Sequence, residues 1–304
     1  MPWPSQTDVR GSEGGGDFLR QKRRQPLTCF APRIRHMAEL FRMTHTKIST
    51  FEQCRKHYWF SYLSGLQWPP EADSVATMTG KAVHRSMQVL CETGDEDDAR
   101  HHLDTFLKMP KHEAIAVGTP EYDTVIQLFE RGCEAHRSIV SEDRWAELDT
   151  WVPSKKRGIS VRTIVDRADR VSPTEWQIID WKTGRADKPE SVDRQLDIAH
   201  LVVRTARSLG RDANVTAIGW NLRTGERRVR RLDRTDAANT MHYLASLADR
   251  MQAATEFEAT PSPACGYCPW RPQCPEGLAI ETAWDEWPDT AEPAPWEVVP
   301  AAAV

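Results

Sequence analysis

The chain has 304 residues, 39% hydrophobic and 28% charged, with a formal net charge of −4. This composition suits a globular chain of one or two domains, and no apolar run approaches the length that spans a bilayer. The acids are unevenly spread: seven of them, and no Lys or Arg, follow Cys274. The remainder is therefore net basic, and a nucleic-acid partner stays open.

Residues 1–42 carry a Gly triplet, scattered prolines and Gln-Lys-Arg-Arg-Gln with no sustained apolar period, which predicts a disordered N-terminal extension. No charged n-region with an apolar h-region is visible there, and translation is expected to begin functionally at Met37 or Met43. The folded region is expected over 43–277. Within it, Ser49 is placed to cap a helix through Phe51, Cys54, Tyr58 and Phe60, with Glu52 at the capping-box position. Thr79-Gly80 precedes a second helix, Lys81 to Cys91, and segments 100–108 and 119–140 read as further helices. The period then changes. Ile159 to Asp166 alternates like a strand, as does Trp176 to Trp181, with a Ser172-Pro173 turn between them. Residues 191–209 return to helix, Val215–Leu222 and Arg227–Leu232 form a hairpin around Arg223-Thr-Gly-Glu226, and a last helix covers about 235–256. This order predicts an α/β domain with a small mixed sheet flanked by helices. Residues 278–304, acidic and rich in Pro, Ala and Trp, read as a second disordered tail. Its Trp284, Trp287 and Trp296 suit a partner-binding peptide or an unstructured segment equally well.

Seven cysteines, an odd number, do not read as a disulfide framework. In a reducing cytosol, the expected location, clustered cysteines are more often metal ligands. Three stand in Cys265-Gly-Tyr-Cys268-Pro-Trp-Arg-Pro-Gln-Cys274, flanked by prolines that forbid a regular helix. With Cys54 as a fourth ligand, four thiolates would hold zinc or an iron–sulfur cluster and staple the two ends of the folded region. Cys29, Cys91 and Cys133 have no such neighbours, and the last two read as small buried side chains. His101, His102, His112, His136 and His242 show no ligand spacing.

Two predicted strands carry acids, Asp166 and Asp180. Asp180 and Lys182 are two apart, so they share a strand face. Because burying such a pair is costly, they mark an accessible cleft at the sheet's edge. Two carboxylates on adjacent strands suit Mg²⁺ or Mn²⁺, and the ammonium would orient water and offset charge on a phosphate. The basic runs Lys155-Lys156-Arg157 and Arg223 to Arg231 read either as solvated surface or as phosphate contacts.

Taken together, Gly80-Lys-Ala-Val-His84, Ile164-Val-Asp166-Arg167, Asp180-Trp-Lys182-Thr-Gly184 and Gln195 resemble, in order and spacing, the motifs of the RecB-like branch of the PD-(D/E)XK nucleases. The cysteine pattern is similar to the iron–sulfur signature of AddB-type and CRISPR-adaptation-type exonucleases. The resemblance covers roughly residues 46–275 and implies a restriction-endonuclease-like core with a C-terminal iron–sulfur loop. It further implies His84, Asp166, Asp180 and the Trp181 carbonyl as ligands of Mg²⁺ or Mn²⁺, with Lys182 positioning the attacking water. Gln195 would contact substrate or the lysine, and Cys54, Cys265, Cys268 and Cys274 would hold a [4Fe–4S] cluster. The implied activity is exonucleolytic, on single-stranded DNA ends, in recombination, repair or phage-like DNA processing. The alternative is a weakly catalytic or non-catalytic end-binding subunit of a helicase–nuclease complex. Two positions depart from the pattern, Thr163 where the branch often has Gly and Ala199 where it commonly has Tyr. An acid expected before the first core strand is Glu147, with Glu142 and Asp149 competing.

Overall fold

The computed structural model describes residues 40–69, 74–184, 189–210 and 212–280. The two predicted disordered extensions fall almost wholly outside them, as do Cys29 and the three tail tryptophans. Regular structure begins with β1 (Phe41–Thr44) and closes with the short helix α8 (Pro275–Leu278). Among the described residues, no helix is long and apolar enough to cross a membrane.

A six-stranded mixed sheet carries the domain, with strands β2 (Asp143–Ser154), β3 (Ile159–Ser172), β4 (Glu175–Lys182), β5 (Asn214–Asn221) and β6 (Arg227–Arg230) joining β1. β3 organises it. One of its edges is covered along its length by β2, from Ser154 opposite Ile159 to Asp143 opposite Arg170. The other edge is shared end to end: β1 pairs in parallel with Ile159 to Arg162, and β4 pairs antiparallel from Arg167 onward. Residues 163–166 lie between the two partners, so Asp166 sits in the middle of a long strand at a gap in its edge. The sequence had placed it at a strand end. β4 lies between β3 and β5, so Asp180 and Lys182 stand at the end of a central strand and not at the sheet's edge.

Neither β1 nor β2 was legible beforehand. β2 alternates poorly in burial, and its side-chain pattern slips once: Trp145 and Leu148 pack into the same apolar cluster although three residues apart. Residues at that spacing on a strand point to opposite faces. Glu147, with a left-handed φ of 44°, stands at the slip. Val165 and Ala168, on the facing stretch of β3, repeat it.

Helices cover both faces. On one lie α3 (Val75–Thr93), α4 (Glu96–Leu107) and α5 (Pro120–Arg137), joined through Val83, Met87, Leu103, Leu128 and the sheet residues Ile179 and Trp181. On the other lie α6 (Pro189–Ala206) and α7 (Arg234–Ala253), through Leu196, Val202, Leu247 and Met251. Gly219 of β5 permits the close approach of α6, since a Cβ there would meet Val192 Cγ1 at 3.0 Å.

Two expected helix starts are corrected. α1 (His45–Gln53) is capped by Thr44, whose Oγ1 accepts from Lys47 N at 3.1 Å, while Ser49 Oγ donates inside the helix to His45 O. A break at Cys54 separates it from α2 (Arg55–Tyr62). α3 begins at Val75 with Ser74 as its cap, so Gly80 lies inside a helix although its low propensity suggested a boundary.

Behind the sheet, Arg167 and Asp169 are fully buried and bonded at 2.6 and 2.9 Å. His136 joins them, its ring nitrogens 2.9 Å from Arg167 Nη1 and 3.1 Å from Arg144 Nη1. Burial and the two guanidinium charges push the imidazole down to about 3, so it stays neutral. Removing one partner of a buried ion pair leaves the other uncompensated. Asp169→Ala should lower the unfolding free energy by about 3–5 kcal/mol in urea denaturation, with Arg167 the stranded charge.

Candidate active site

The gap in the edge of β3 is where the predicted residues meet. Because β3 and β4 have parted there, the Trp181 backbone N–H of β4 has no ladder partner on that side, and Asp166 Oδ2 accepts it at 2.7 Å. The other oxygen, Oδ1, lies 3.1 Å from His84 Nδ1 on α3. Burial opposes a charge on His84, but Asp166 beside it, through charge and hydrogen bond, raises its pKa to about 9.

Asp180 and Lys182 lie on the same face of β4 and are tied together by Gln195 from α6. Gln195 Nε2 donates to Asp180 Oδ1 at 2.5 Å, and Lys182 Nζ donates to Gln195 Oε1 at 2.7 Å. The Lys182 ammonium also stands 2.8 Å from the buried Asp180 Oδ2. Burial drives the Asp180 carboxyl above its ordinary range; Lys182 opposes the shift and the charge of Asp166 adds to it. Two carboxylates in one small volume, one of them buried beside an ammonium, form a donor set suited to a hard divalent cation. Among the described residues, no three His, Cys, Asp or Glu side chains already converge as ligands of one ion. In this arrangement His84 and Asp166 bond each other, and Asp180 is held by Gln195.

Of the three competing acids, the structure brings only Glu147 to the site. Its carboxyl is pushed upward by burial and then by Asp166, while His84 and Arg85 oppose that shift. Glu142 lies 3.6 Å from Arg170, and Asp149 pairs with Arg162 at 2.7 Å. The left-handed backbone at Glu147 had no signal in the sequence. His45 was also missed: it opens α1 and bonds the Ser191 backbone, and burial, Lys182 and Arg194 lower its pKa to about 4. Thr163 and Ala199, the two departures, are both buried.

The basic hairpin is corrected as a phosphate contact. Arg228 is paired with Asp193 and Arg230 with Asp197 of α6, at 2.5 and 2.7 Å, while Arg231 donates to Thr216 Oγ1 and Arg227 lies over the Trp220 ring. Lys155, Lys156 and Arg157 form an exposed 3-10 turn.

The cysteines gather at the other end of α1 and α2. Cys54, Cys265, Cys268 and Cys274 line one cavity of about 200 Å³, with Phe60 and Trp270. Burial raises the Cys268 thiol, the Trp270 backbone opposes, and the nearby Cys54, Cys265 and Cys274 raise it further. Backbone N–H groups of His57 and Thr260 reach Cys54 Sγ, each at 3.4 Å. Trp270 stacks on Phe60 with centroids 5.3 Å apart and donates to Ser61 Oγ at 2.9 Å, and Lys56 bonds Glu276 at 2.7 Å. Among the described residues, these thiols likewise form no group already drawn together around one ion.

The model of the PD-(D/E)XK nuclease superfamily matches residues 42–275. The chain belongs to that superfamily, whose members typically use divalent metals. No curated protein matches it. Among solved structures it is similar to one from Eubacterium rectale that carries the provisional name exonuclease. Identity is 14% and the TM-score 0.46, over 75% of this chain and 86% of that one. It is also similar to the protein SSO0001, at 16% identity and a TM-score of 0.34, over 74% and 95%.

Gly80 of α3 faces the segment after Lys182, where a Cβ would meet Thr183 Oγ1 at 3.4 Å. Gly80→Ala should therefore keep activity and gain slightly in melting temperature, as Ala favours helix. Gly80→Val should displace Thr183 and, by shifting the end of β4, lower the cleavage rate by about 10²-fold with little change in melting temperature.

Proposed function

We propose that this nuclease is a RecB-like exodeoxyribonuclease that hydrolyses phosphodiester bonds at single-stranded DNA ends. The observation that carries the reading is the convergence of His84, Asp166, Asp180, Lys182 and Gln195, from four separate elements, at the gap between β3 and β4. His84, Asp166, Asp180 and the Trp181 carbonyl would hold Mg²⁺ or Mn²⁺. The ion supplies Lewis-acid stabilisation of charge developing on the phosphate. The Lys182 ammonium, fixed by Gln195 and Asp180, orients the water for in-line attack and offsets the same charge. Asp166 in turn is held by the Trp181 N–H and keeps His84 turned toward the site. Processing of ends in recombination, repair or phage-like replication, in the cytoplasm and beside a helicase partner, fits this chemistry.

The four thiols would carry a [4Fe–4S] cluster, a reading supported by their ring around a single cavity and by the backbone N–H groups aimed at Cys54 Sγ. Its role is structural: it closes the C-terminal loop onto α2.

Digestion of end-labelled single- and double-stranded DNA with Mg²⁺ or Mn²⁺ tests the activity. Lys182→Ala should lose about 10²-fold or more in rate while retaining DNA binding, and a variant as fast as wild type would remove the lysine from the mechanism. Full DNA binding by the wild type without cleavage would favour a non-catalytic end-binding subunit.

Cys54→Ser should cost both the brown colour of anaerobically purified protein and thermal stability, since a long-range crosslink is lost. Cys91→Ser should keep its iron. A colourless wild type containing zinc would sink the cluster assignment.

A further inference from the structure

Beside the catalytic acids, one sheet face near the start of β3 has no helix over it among the described residues. Along β3, Ile159, Val161, Thr163 and Val165 are buried against the α6 and α7 side, while Ser160, Arg162, Ile164 and Asp166 point the other way. Farther along the strand this second face is covered by α3 and α5. Near its start it is open: Ile164 is 44% and Trp151 of β2 40% exposed. Trp151 lies opposite Arg162 in the β2–β3 ladder, and Asp149 and Glu147 continue the same side of β2 toward Asp166. The guanidinium carbons of Arg162 and of Arg42, exposed on β1, lie 5.4 and 5.9 Å from the centre of the Trp151 ring.

We propose that this open half-face is a track for single-stranded DNA, on which Trp151 stacks a base and Arg42 and Arg162 contact the backbone. The proposal rests on the nuclease reading of the site and deepens it by naming how the strand is led in. Three observations carry it. An indole with two arginines over it, exposed on a rigid sheet, combines the two features that bind single strands, an aromatic platform and positive charge. The ion pair with Asp149, at 2.7 Å from Arg162 Nε, holds the Arg162 guanidinium in place beside the ring. The patch is also continuous with the catalytic acids: Arg162 and Asp166 lie four residues apart on one strand, about 13 Å, or at most about four nucleotides of stacked strand. A duplex would present no free base face to the indole, so the track selects unpaired strands.

The test uses the full chain with its metal centres intact and three variants: Trp151→Ala, Trp151→Phe and Arg42→Glu. Binding of a fluorescent single-stranded oligothymidylate is measured by anisotropy with Ca²⁺ in place of the catalytic metal. Cleavage is measured on the same oligonucleotide and on a nitrophenyl ester of thymidine monophosphate, which is too small to reach Trp151. Trp151→Ala should weaken oligonucleotide binding by between about 5- and 150-fold, the span expected for loss of one stacked base, and lower kcat/KM on the oligonucleotide in proportion. Arg42→Glu should also weaken it and reduce the salt dependence of binding. Trp151→Phe should stay near wild type, and all variants should cleave the small ester at the wild-type rate. Trp151→Ala and Arg42→Glu with unchanged oligonucleotide affinity would overturn the track. A wild type that binds the oligonucleotide through Trp151 yet cleaves neither substrate would support the track while overturning the nuclease reading. If Trp151→Ala is misfolded, Arg42→Glu against Trp151→Phe decides.

Discussion

The edge of β3 has two partners and a space between them, and the catalytic arrangement depends on that space. β1 pairs up to Arg162 and β4 pairs from Arg167, so the intervening backbone is free of strand bonds on that side. Buried backbone groups need partners. The Trp181 N–H finds one in the Asp166 carboxylate at 2.7 Å, which fixes one oxygen of the acid by backbone alone. A continuous ladder would have supplied that partner from the backbone of β3. The same opening lets His84 reach Asp166 from α3 and Gln195 reach Asp180 and Lys182 from α6. Helices on opposite sides of the sheet thus contribute to one site.

The slip in side-chain alternation serves the same end. A regular β2 would turn either Leu148 or Trp145 out of the core. Glu147, at φ 44°, absorbs the mismatch, and its carboxyl joins Asp166 and His84. Strained backbone of this kind is found where the surrounding structure over-determines it, often beside an active site. Here the surroundings are the apolar cluster holding Trp145, Leu148, Val165 and Ala168 and the buried Arg167–Asp169–His136 network one residue beyond Asp166. That network also explains why a strand carrying an acid and a base side by side folds inward: each guanidinium nitrogen of Arg167 has a partner, so its burial is tolerable.

The cysteine end of the molecule works by different means. The loop from Pro263 to Leu278 is built of 3-10 turns and one short helix, with little regular hydrogen bonding of its own. It is held to α2 by the Phe60–Trp270 stack, the Trp270–Ser61 bond, the Lys56–Glu276 pair and the shared lining of one cavity by four cysteines. Because α1 runs from the gap in β3 to Cys54, this anchor bears on the position of His45 and the neighbouring wall of the active site.

Local periodicity made much of this legible. Strand alternation put Asp180 and Lys182 on one face, helical spacing gave α4 to α7 to within a few residues and α3 with a start six residues late, and motif order joined His84, Asp166, Asp180, Lys182 and Gln195 before any contact was known. Cysteine spacing grouped Cys265, Cys268 and Cys274, and the family resemblance of its leader added Cys54. Each is a pattern within a short stretch, or a set of such patterns in order. What the chain order could not carry was pairing between distant segments. Three acids competed before β3, and only register and an unusual φ selected Glu147. The arginines of β6 looked available until α6 supplied Asp193 and Asp197. Gly80 read as a helix boundary because intrinsic propensity is local, whereas its real constraint is the approach of Thr183 across the fold. Amino-acid order determined which chemistry is present and roughly which elements bear it. Only the tertiary structure decided which charges meet and which edge is left open, because those depend on contacts between residues far apart in the chain.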